Sequence, residues 1–266
     1  MRIVRYERDE KSHYGIIEKT SVREVEEKSF CGDGRSAGEL LADLSYTGAT
    51  LPLSEVHLIP PCLPTKIVAV GLNYRSHAQE LAMRLPEEPL LFLKPSTAVI
   101  GQDDYIVYPA MSRRIDYEAE LGVVMGKAAK HISIDEAEEY ILGYTCVNDV
   151  TARDLQGKDV QFTRSKSFDT FAPIGPWIET ELDPTNCRVE SYLDGELKQS
   201  GNTSDLVFPV FHLVSFISSV MTLLPGDLIA TGTPSGIGPM QAGNSVEVKI
   251  EGIGTLRNQI AQPKMS

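Results

Sequence analysis

Short apolar runs dominate this chain, and glycines, prolines and acidic side chains punctuate them. Arg2–Tyr6 and Tyr14–Glu18 predict two strands near the amino terminus, and the apolar spacing within Ala37–Leu44 predicts a short amphipathic helix. Three prolines within Ile59–Pro64 interrupt any helix or central strand, which places a boundary there. Beyond it Lys66–Gly71 has the composition of a buried strand. Asn73–Leu81 suits a helical turn, and a loop punctuated by Pro86 and Pro89 leads into Leu90–Pro95. Asp116–Val124 has strand character, as does the apolar run Thr145–Asp149, which ends on a carboxylate. Ser133 and Glu136 have capping-box spacing, predicting a short helix through Tyr140 that Gly143 closes. Asp194-Gly195 between Arg188–Leu193 and Glu196–Gln199 marks a hairpin, because that pair supplies the positive φ of a tight turn. Val210–Leu223 is the longest predicted helix, stopped by Pro225-Gly226-Asp227. Asp227–Thr233 and the alternating Val246, Val248 and Ile250 supply the closing strands. Strands outnumber helices without alternating with them, so a doubly wound sheet is disfavoured. The pattern predicts an α+β, predominantly β fold with one or two covering helices, divided into a small unit over 1–60 and a larger one over 61–266.

Composition narrows the function classes. With 266 residues, 42% of them hydrophobic, a packed core is available. The balance of 25 basic against 37 acidic residues gives a net charge of −12, which disfavours nucleic acid and anionic membranes as partners. No apolar run approaches the ~20 residues needed to span a bilayer, and the first residues lack the apolar core of a signal peptide, so a cytoplasmic protein is expected. Cys31, Cys62, Cys146 and Cys187 form no C-x-x-C pair, which suggests free buried thiols rather than zinc sites or disulfides.

The candidate chemistry centres on Ile115–Phe171. Glu118 and Glu120 are two apart on a strand and share a face, with skeletons roughly 6–7 Å apart. Either that face is solvated or a cation sits between them. Asp149, at the end of another apolar run, adds a third oxygen donor, and an all-carboxylate set suits Mg²⁺ or Mn²⁺. His77 and Glu80 are neighbours on a helical turn, where a carboxylate can fix the imidazole's tautomer for work as a general base; a packing histidine is the plainer alternative. His13, His57, His131 and His212 have no such setting. Lys166, among Phe162, Phe168 and Phe171, is either a surface lysine or a partly buried one that needs an anion. Thr231–Gly238 is rich in glycine but lacks the Gly-Lys-Ser/Thr ending of a phosphate loop, and Pro234 and Pro239 prevent a following helix. A turn presenting amides and hydroxyls to a ligand remains open.

Taken together, Glu118-Ala119-Glu120, Asn148-Asp149-Val150-Thr151-Ala152-Arg153-Asp154, Lys166-Ser167-Phe168-Asp169-Thr170-Phe171 and Thr231-Gly232-Thr233-Pro234 resemble the fumarylacetoacetate hydrolase family, as does Gly71-Leu72-Asn73-Tyr74 with His77 and Glu80. The resemblance covers about residues 64 to 260, and the first sixty residues resemble the small amino-terminal extension of many bacterial and archaeal members. It implies a mixed β-sandwich roll, a homodimer, and Mg²⁺ or Mn²⁺ held by Glu118, Glu120 and Asp149. It further implies His77 and Glu80 as the catalytic dyad on a segment that closes over substrate. Lys166, Gln156 and Thr233, with Arg153, would hold the substrate's carboxylate and carbonyl oxygens. The stretch between Asp149 and Lys166 is shorter than in some members, which bears on substrate size.

The implied reaction is metal-dependent hydrolysis of a C–C bond in an acylpyruvate-like 2,4-dioxo acid through an enolate. Isomerisation of a 2-hydroxyhepta-2,4-diene-1,7-dioate, or decarboxylation of an oxaloacetate-like acid, would use the same groups. The isomerase reading calls for a second cationic pocket, with Arg75, Arg84 and Arg164 as candidates opposite Lys166. A catalytically silent binding module is the third reading, against which the intact His77 and Glu80 argue.

Overall fold

Lys66–Gly71 is buried on both faces, sending Val68 and Val70 into one apolar cluster and Ile67 and Ala69 into another. A strand with apolar side chains on both faces must be covered on both, and the rest of the chain supplies the cover. The computed structural model describes residues 1–26 and 37–262, so Cys31 lies outside the described residues. A 12-stranded sheet follows the path Tyr46–Pro52, Ser21–Val25, Lys11–Glu18, Arg2–Arg8, Ala172–Glu179, Ile141–Asn148, Ala119–Met125, Leu228–Ala230, Lys66–Gly71, Leu90–Pro95, with His57–Ile59 added beside Arg2–Arg8 and Val99–Ile100 beside Ala172–Glu179. Neighbours on this path are antiparallel except Leu228–Ala230 beside Lys66–Gly71. A five-stranded sheet of Glu196–Asn202, Arg188–Leu193, Ser245–Ile250, Gly254–Ala261 and Tyr105–Val107 packs over it. Leu121, Val123 and Cys146 of the large sheet meet Val189, Val248, Ile250 and Leu256 of the smaller one in a single core. The result is the predominantly β sandwich roll that the residue pattern and the resemblance predict. No helix among the described residues is long and apolar enough to cross a membrane.

The first sixty residues extend the large sheet, because Arg2 and Ile3 pair with Glu179 and Ile178. Their strands Tyr46–Pro52 and His57–Ile59 carry no clear alternation and went unpredicted, and the helix there runs Ala37–Ala42.

Three local expectations are corrected. Asp116–Val124 is two strands, Ile115–Tyr117 and Ala119–Met125, because the first joins Thr151–Ala152 and Gly238–Met240 in a separate sheet. Glu118 therefore sits at the break. The Ser133 N–H and hydroxyl do donate to Glu136, at 2.9 and 2.6 Å, yet only a 3₁₀ turn, Ala137–Tyr140, follows. Gly143 lies inside the Ile141–Asn148 strand, where a Cβ would come within 2.5 Å of the Glu179 carbonyl oxygen. The long helix packs Val210, Leu213, Val214 and Ile217 into the core but ends at Val220. Leu223 leaves it to exchange two backbone hydrogen bonds with Ala129, at 2.9 and 3.0 Å.

Asp227 ties this framework to the start of Lys66–Gly71. It is fully buried and accepts from the Thr65 N–H (3.0 Å) and hydroxyl (2.7 Å), the Lys66 N–H (3.2 Å), the Leu224 N–H (2.8 Å) and the Lys66 ammonium. Burial pushes its carboxyl up, but these donors outweigh burial and hold it below the ordinary 3.8. Asp227→Ala strands buried donors and is expected to cost about 3–5 kcal/mol, lowering Tm by about 10 °C. The depressed carboxyl stabilises the fold at pH above 3.8, and that stabilisation is lost as pH falls through its folded value. The gap in Tm between wild type and variant should therefore narrow in acid; melts showing a constant gap would contradict the assignment.

Candidate active site

Glu118 and Glu120 do share one face, opposite Ala119, Leu121 and Val123, but that face is not solvated: both carboxylates are buried. Ala119 pairs with Asn148, so Asp149 begins one residue past the register that brings the two strands together. The Asp149 N–H donates to the Glu118 carbonyl at 2.9 Å, fixing the crossing. One oxygen from each of Glu118, Glu120 and Asp149 lies within 4.8 Å of the others.

Buried like charges require compensation, and the chain supplies three cations. Lys166, also buried, donates to Glu118 Oε2 at 2.8 Å and Asp149 Oδ2 at 2.6 Å. Arg153 pairs through Nη2 with Glu118 Oε1 and through Nε with Asp116 Oδ2 at 2.9 Å. Lys94, fully buried, pairs with Asp149 Oδ1 and donates to the Val150 carbonyl at 3.2 Å. These contacts shift the groups in different directions. Burial opposes the charged form of Glu118, but Lys166 and Arg153 outweigh it and hold that carboxyl well below its usual range. Burial would likewise lower Lys166, yet Asp149 and Glu118 keep it above the ordinary ammonium value. For Lys94 burial prevails over Asp149 and lowers it. Glu120 is pushed well above the carboxylate range, by burial first and then by Asp149 and Glu118.

Glu120 carries the test of metal fit. Its only protein hydrogen bond among the described residues is from the Gly232 N–H, at 2.8 Å to Oε2. A buried carboxylate crowded by two others and short of donors suits a cation. The donor set is all oxygen, with neither cysteine nor histidine, which suits Mg²⁺ or Mn²⁺ over zinc.

The turn at Thr231–Gly238 serves the protein's own carboxylates. Gly232 has φ +100°, and a Cβ there would meet Asn73 Cβ at 2.7 Å, so only glycine can aim this N–H at Glu120. Gly236, also at φ +100°, donates to Glu80 Oε1 at 2.9 Å. Glu80 Oε2 in turn lies 3.0 Å from His77 Nδ1. A Glu80 carboxylate so placed favours the tautomer with the proton on Nδ1, which leaves Nε2 as the basic nitrogen.

These groups meet at a chamber of about 460 Å³. Glu118, Glu120, Asp149, Lys166, Arg153, Gln156 and Thr233 line its floor with His77 on the wall, so the structure brings every predicted site residue except Glu80 to the cavity surface. Two substrate-binding expectations are narrowed. Gln156 Oε1 already accepts from Arg153 Nη1 at 2.5 Å, leaving its amide NH₂ as the part free to donate. The Thr233 hydroxyl donates to the Ala119 carbonyl at 2.9 Å and accepts from Gln199 Nε2 at 2.8 Å, so it offers a ligand one lone pair and no proton. Arg75, Arg84 and Arg164 do not line the chamber, and Arg164 is committed to Asp159 at 2.5 and 2.7 Å.

Three contributors escaped sequence reasoning. Lys94 left one clue, a lone charge after Leu90-Leu91-Phe92-Leu93 and immediately before a proline. Asp116, which clamps Arg153 and Arg114, and Gln199, which also donates to the Pro234 carbonyl and accepts from the Ala119 N–H, left none. Their roles depend on contacts across more than 30 residues of chain.

Comparison with known proteins agrees with this geometry. Residues 66–261 match the family model described as fumarylacetoacetate (FAA) hydrolase C-terminal, and residues 1–61 match one described as Rv2993c-like, N-terminal. An uncharacterised protein of Archaeoglobus fulgidus is 57% identical over 221 residues, covering 83% of this chain and 87% of its own. Oxaloacetate tautomerase YisK of Bacillus subtilis is 42% identical over 223 residues, covering 78% and 74%. Among solved structures, 5-carboxymethyl-2-hydroxymuconate delta-isomerase from Mycobacterium smegmatis is 40% identical with a TM-score of 0.89, over 99% of this chain and 100% of that one. Maleylpyruvate hydrolase from Sphingobium sp. SYK-6, in complex with manganese and pyruvate, is 28% identical with a TM-score of 0.80 over the same shares. By motif, geometry and likeness alike, the chain belongs to the fumarylacetoacetate hydrolase family.

Proposed function

We propose that this protein is a divalent-metal-dependent hydrolase that cleaves the C3–C4 bond of an acylpyruvate-type 2,4-dioxo acid through the enolate of its 2-oxo acid half. The observation that carries this reading is a floor of three buried carboxylates, with Lys166 and Arg153 beside them on the chamber surface and Lys94 behind Asp149, facing the imidazole of His77. Glu118, Glu120 and Asp149 would hold Mg²⁺ or Mn²⁺, which would supply Lewis-acid stabilisation of the enolate's negative charge. Lys166, kept charged by its carboxylate neighbours, donates to the developing oxyanion. Arg153 and the Gln156 NH₂ orient the substrate carboxylate. His77 Nε2 takes a proton from a water that adds to C4, while Glu80 stabilises the imidazolium through Nδ1. The C3–C4 electron pair passes into the enolate, and a proton delivered to C3 completes pyruvate. The balance is acylpyruvate plus water giving a carboxylic acid plus pyruvate.

The absence of Arg75, Arg84 and Arg164 from the chamber lining weighs against a dienedioate isomerase, whose second carboxylate would meet no cation opposite Lys166. A second reading, keto–enol interconversion of oxaloacetate, is favoured by the Bacillus subtilis relative and needs only His77 and the same floor. Decarboxylation of oxaloacetate would draw on that enolate too.

The test presents acetylpyruvate and oxaloacetate separately to protein loaded with Mg²⁺ or Mn²⁺, following pyruvate and the enol absorbance against metal-free controls. Metal-dependent pyruvate from acetylpyruvate supports the hydrolase. Enol–keto conversion of oxaloacetate without cleavage of acetylpyruvate supports the second reading. Binding of metal and oxalate with no turnover would mark a binding protein and overturn both.

A further inference from the structure

We propose that the acyl half of the substrate is an extended hydrophobic group, longer than acetyl, seated in the outer part of the same chamber; the proposal rests on the functional reading above and names its substrate class. The lining falls into two chemical groups. The buried Glu118, Glu120, Asp149 and Lys166, with Arg153 and Gln156, form its charged end, whereas Leu81, Met83, Leu90, Phe92 and Phe162 are apolar and at least partly exposed. Phe92 touches both groups: the Lys166 ammonium lies 5.0 Å from its ring centroid, and Phe162 meets it in a T-shaped contact at 5.6 Å and 81°. A 2-oxo acid head bound at the floor therefore projects its tail along an aromatic and aliphatic surface.

Two further observations favour a long tail. At about 460 Å³ the chamber is in the range that encloses drug-sized ligands, far more than acetylpyruvate fills. Leu81, Met83 and Leu90 are 38%, 53% and 42% exposed at its mouth, so apolar surface stands in water that a seated chain would displace. Among the described residues the cations on the lining are Arg153 and Lys166, both already paired with carboxylates, so a carboxylate on the tail where it is enclosed by the apolar wall would be desolvated without a partner. The chemistry is unchanged for a longer acyl group: water's oxygen bonds to C4, the C3–C4 bond breaks, and a fatty or aryl carboxylic acid leaves with pyruvate.

The experiment uses 2-oxo acids that lack the C4 carbonyl and cannot be hydrolysed. Affinity of the Mg²⁺-loaded protein is measured calorimetrically for pyruvate, 2-oxobutanoate, 2-oxohexanoate and 2-oxooctanoate, with 2-oxoadipate as the charged counterpart of 2-oxohexanoate. A fully buried methylene contributes about fourfold in affinity. Partial burial along the wall should give at least tenfold between pyruvate and 2-oxooctanoate, with 2-oxoadipate weaker than 2-oxohexanoate. Met83→Glu, at an exposed position that does not threaten folding, should reduce the chain-length gain. Affinity flat with length, or tighter for 2-oxoadipate, would overturn the proposal. If the trend holds while no acylpyruvate is cleaved, the apolar subsite stands and the hydrolase reading fails; if no 2-oxo acid binds, both fail.

Discussion

His77→Ala retains divalent cation and oxalate binding and loses turnover by about 10²–10⁴-fold, the usual contribution of a positioned general base. The side chain is buried, faces the chamber, and among the described residues makes no hydrogen bond to Glu118, Glu120 or Asp149; its partner is Glu80. Removing the imidazole therefore removes proton transfer without disturbing the floor. Glu80→Gln should have a smaller effect, because Nε2 persists while the anionic partner at Nδ1 is lost and with it stabilisation of the imidazolium. Steady-state rates with oxalate inhibition constants for both variants check this. Undiminished turnover in His77→Ala would assign the proton transfer to another group.

Asp149→Asn is expected to lower Mg²⁺ affinity by about 100-fold or more, since a hard cation loses one of three charged oxygens. The alanine variant is a poorer probe, and the reason lies in the floor's charge balance. Asp149 takes the Lys94 ammonium on one oxygen and Lys166 on the other, all three groups being buried. Deleting its carboxylate leaves two buried ammonium groups facing Glu118 and an elevated Glu120, at an expected cost of about 3–5 kcal/mol. Lys94→Met in the Asp149→Ala background should recover part of that stability, because it removes a buried cation that has lost its ion-pair partner. Calorimetry for the cation and melts for the variants test the two halves separately. Unchanged Mg²⁺ affinity in Asp149→Asn would mean the ligand set is wrong.

Much of this site was legible because its residues obey local rules. Glu118 and Glu120 share a face by strand period, His77 and Glu80 neighbour one another by helical spacing, and Asp149 ends an apolar run. Legibility stopped where the reason for a residue lies across the fold. Lys94 is only a lone charge at the end of an apolar run until the Leu90–Pro95 strand is placed beside Lys66–Gly71 and its side chain is seen to reach Asp149. The glycines of Thr231–Gly238 suggest ligand amides, whereas their N–H groups hold Glu120 and Glu80. The helix ending at Val220 had no local stop signal, because its end is set by the pairing of Leu223 with Ala129.

Under the proposed function this floor generates an enolate from a 2-oxo acid, whatever bond change follows. The most direct test is proton exchange at C3 of 2-oxobutanoate in D₂O, followed by NMR with the Mg²⁺-loaded protein, with Mg²⁺ alone, and with His77→Ala. Exchange is expected to require both protein and Mg²⁺ and to fall by about 10²-fold or more in His77→Ala. Exchange no faster than with Mg²⁺ alone, although 2-oxobutanoate binds, would contradict that function.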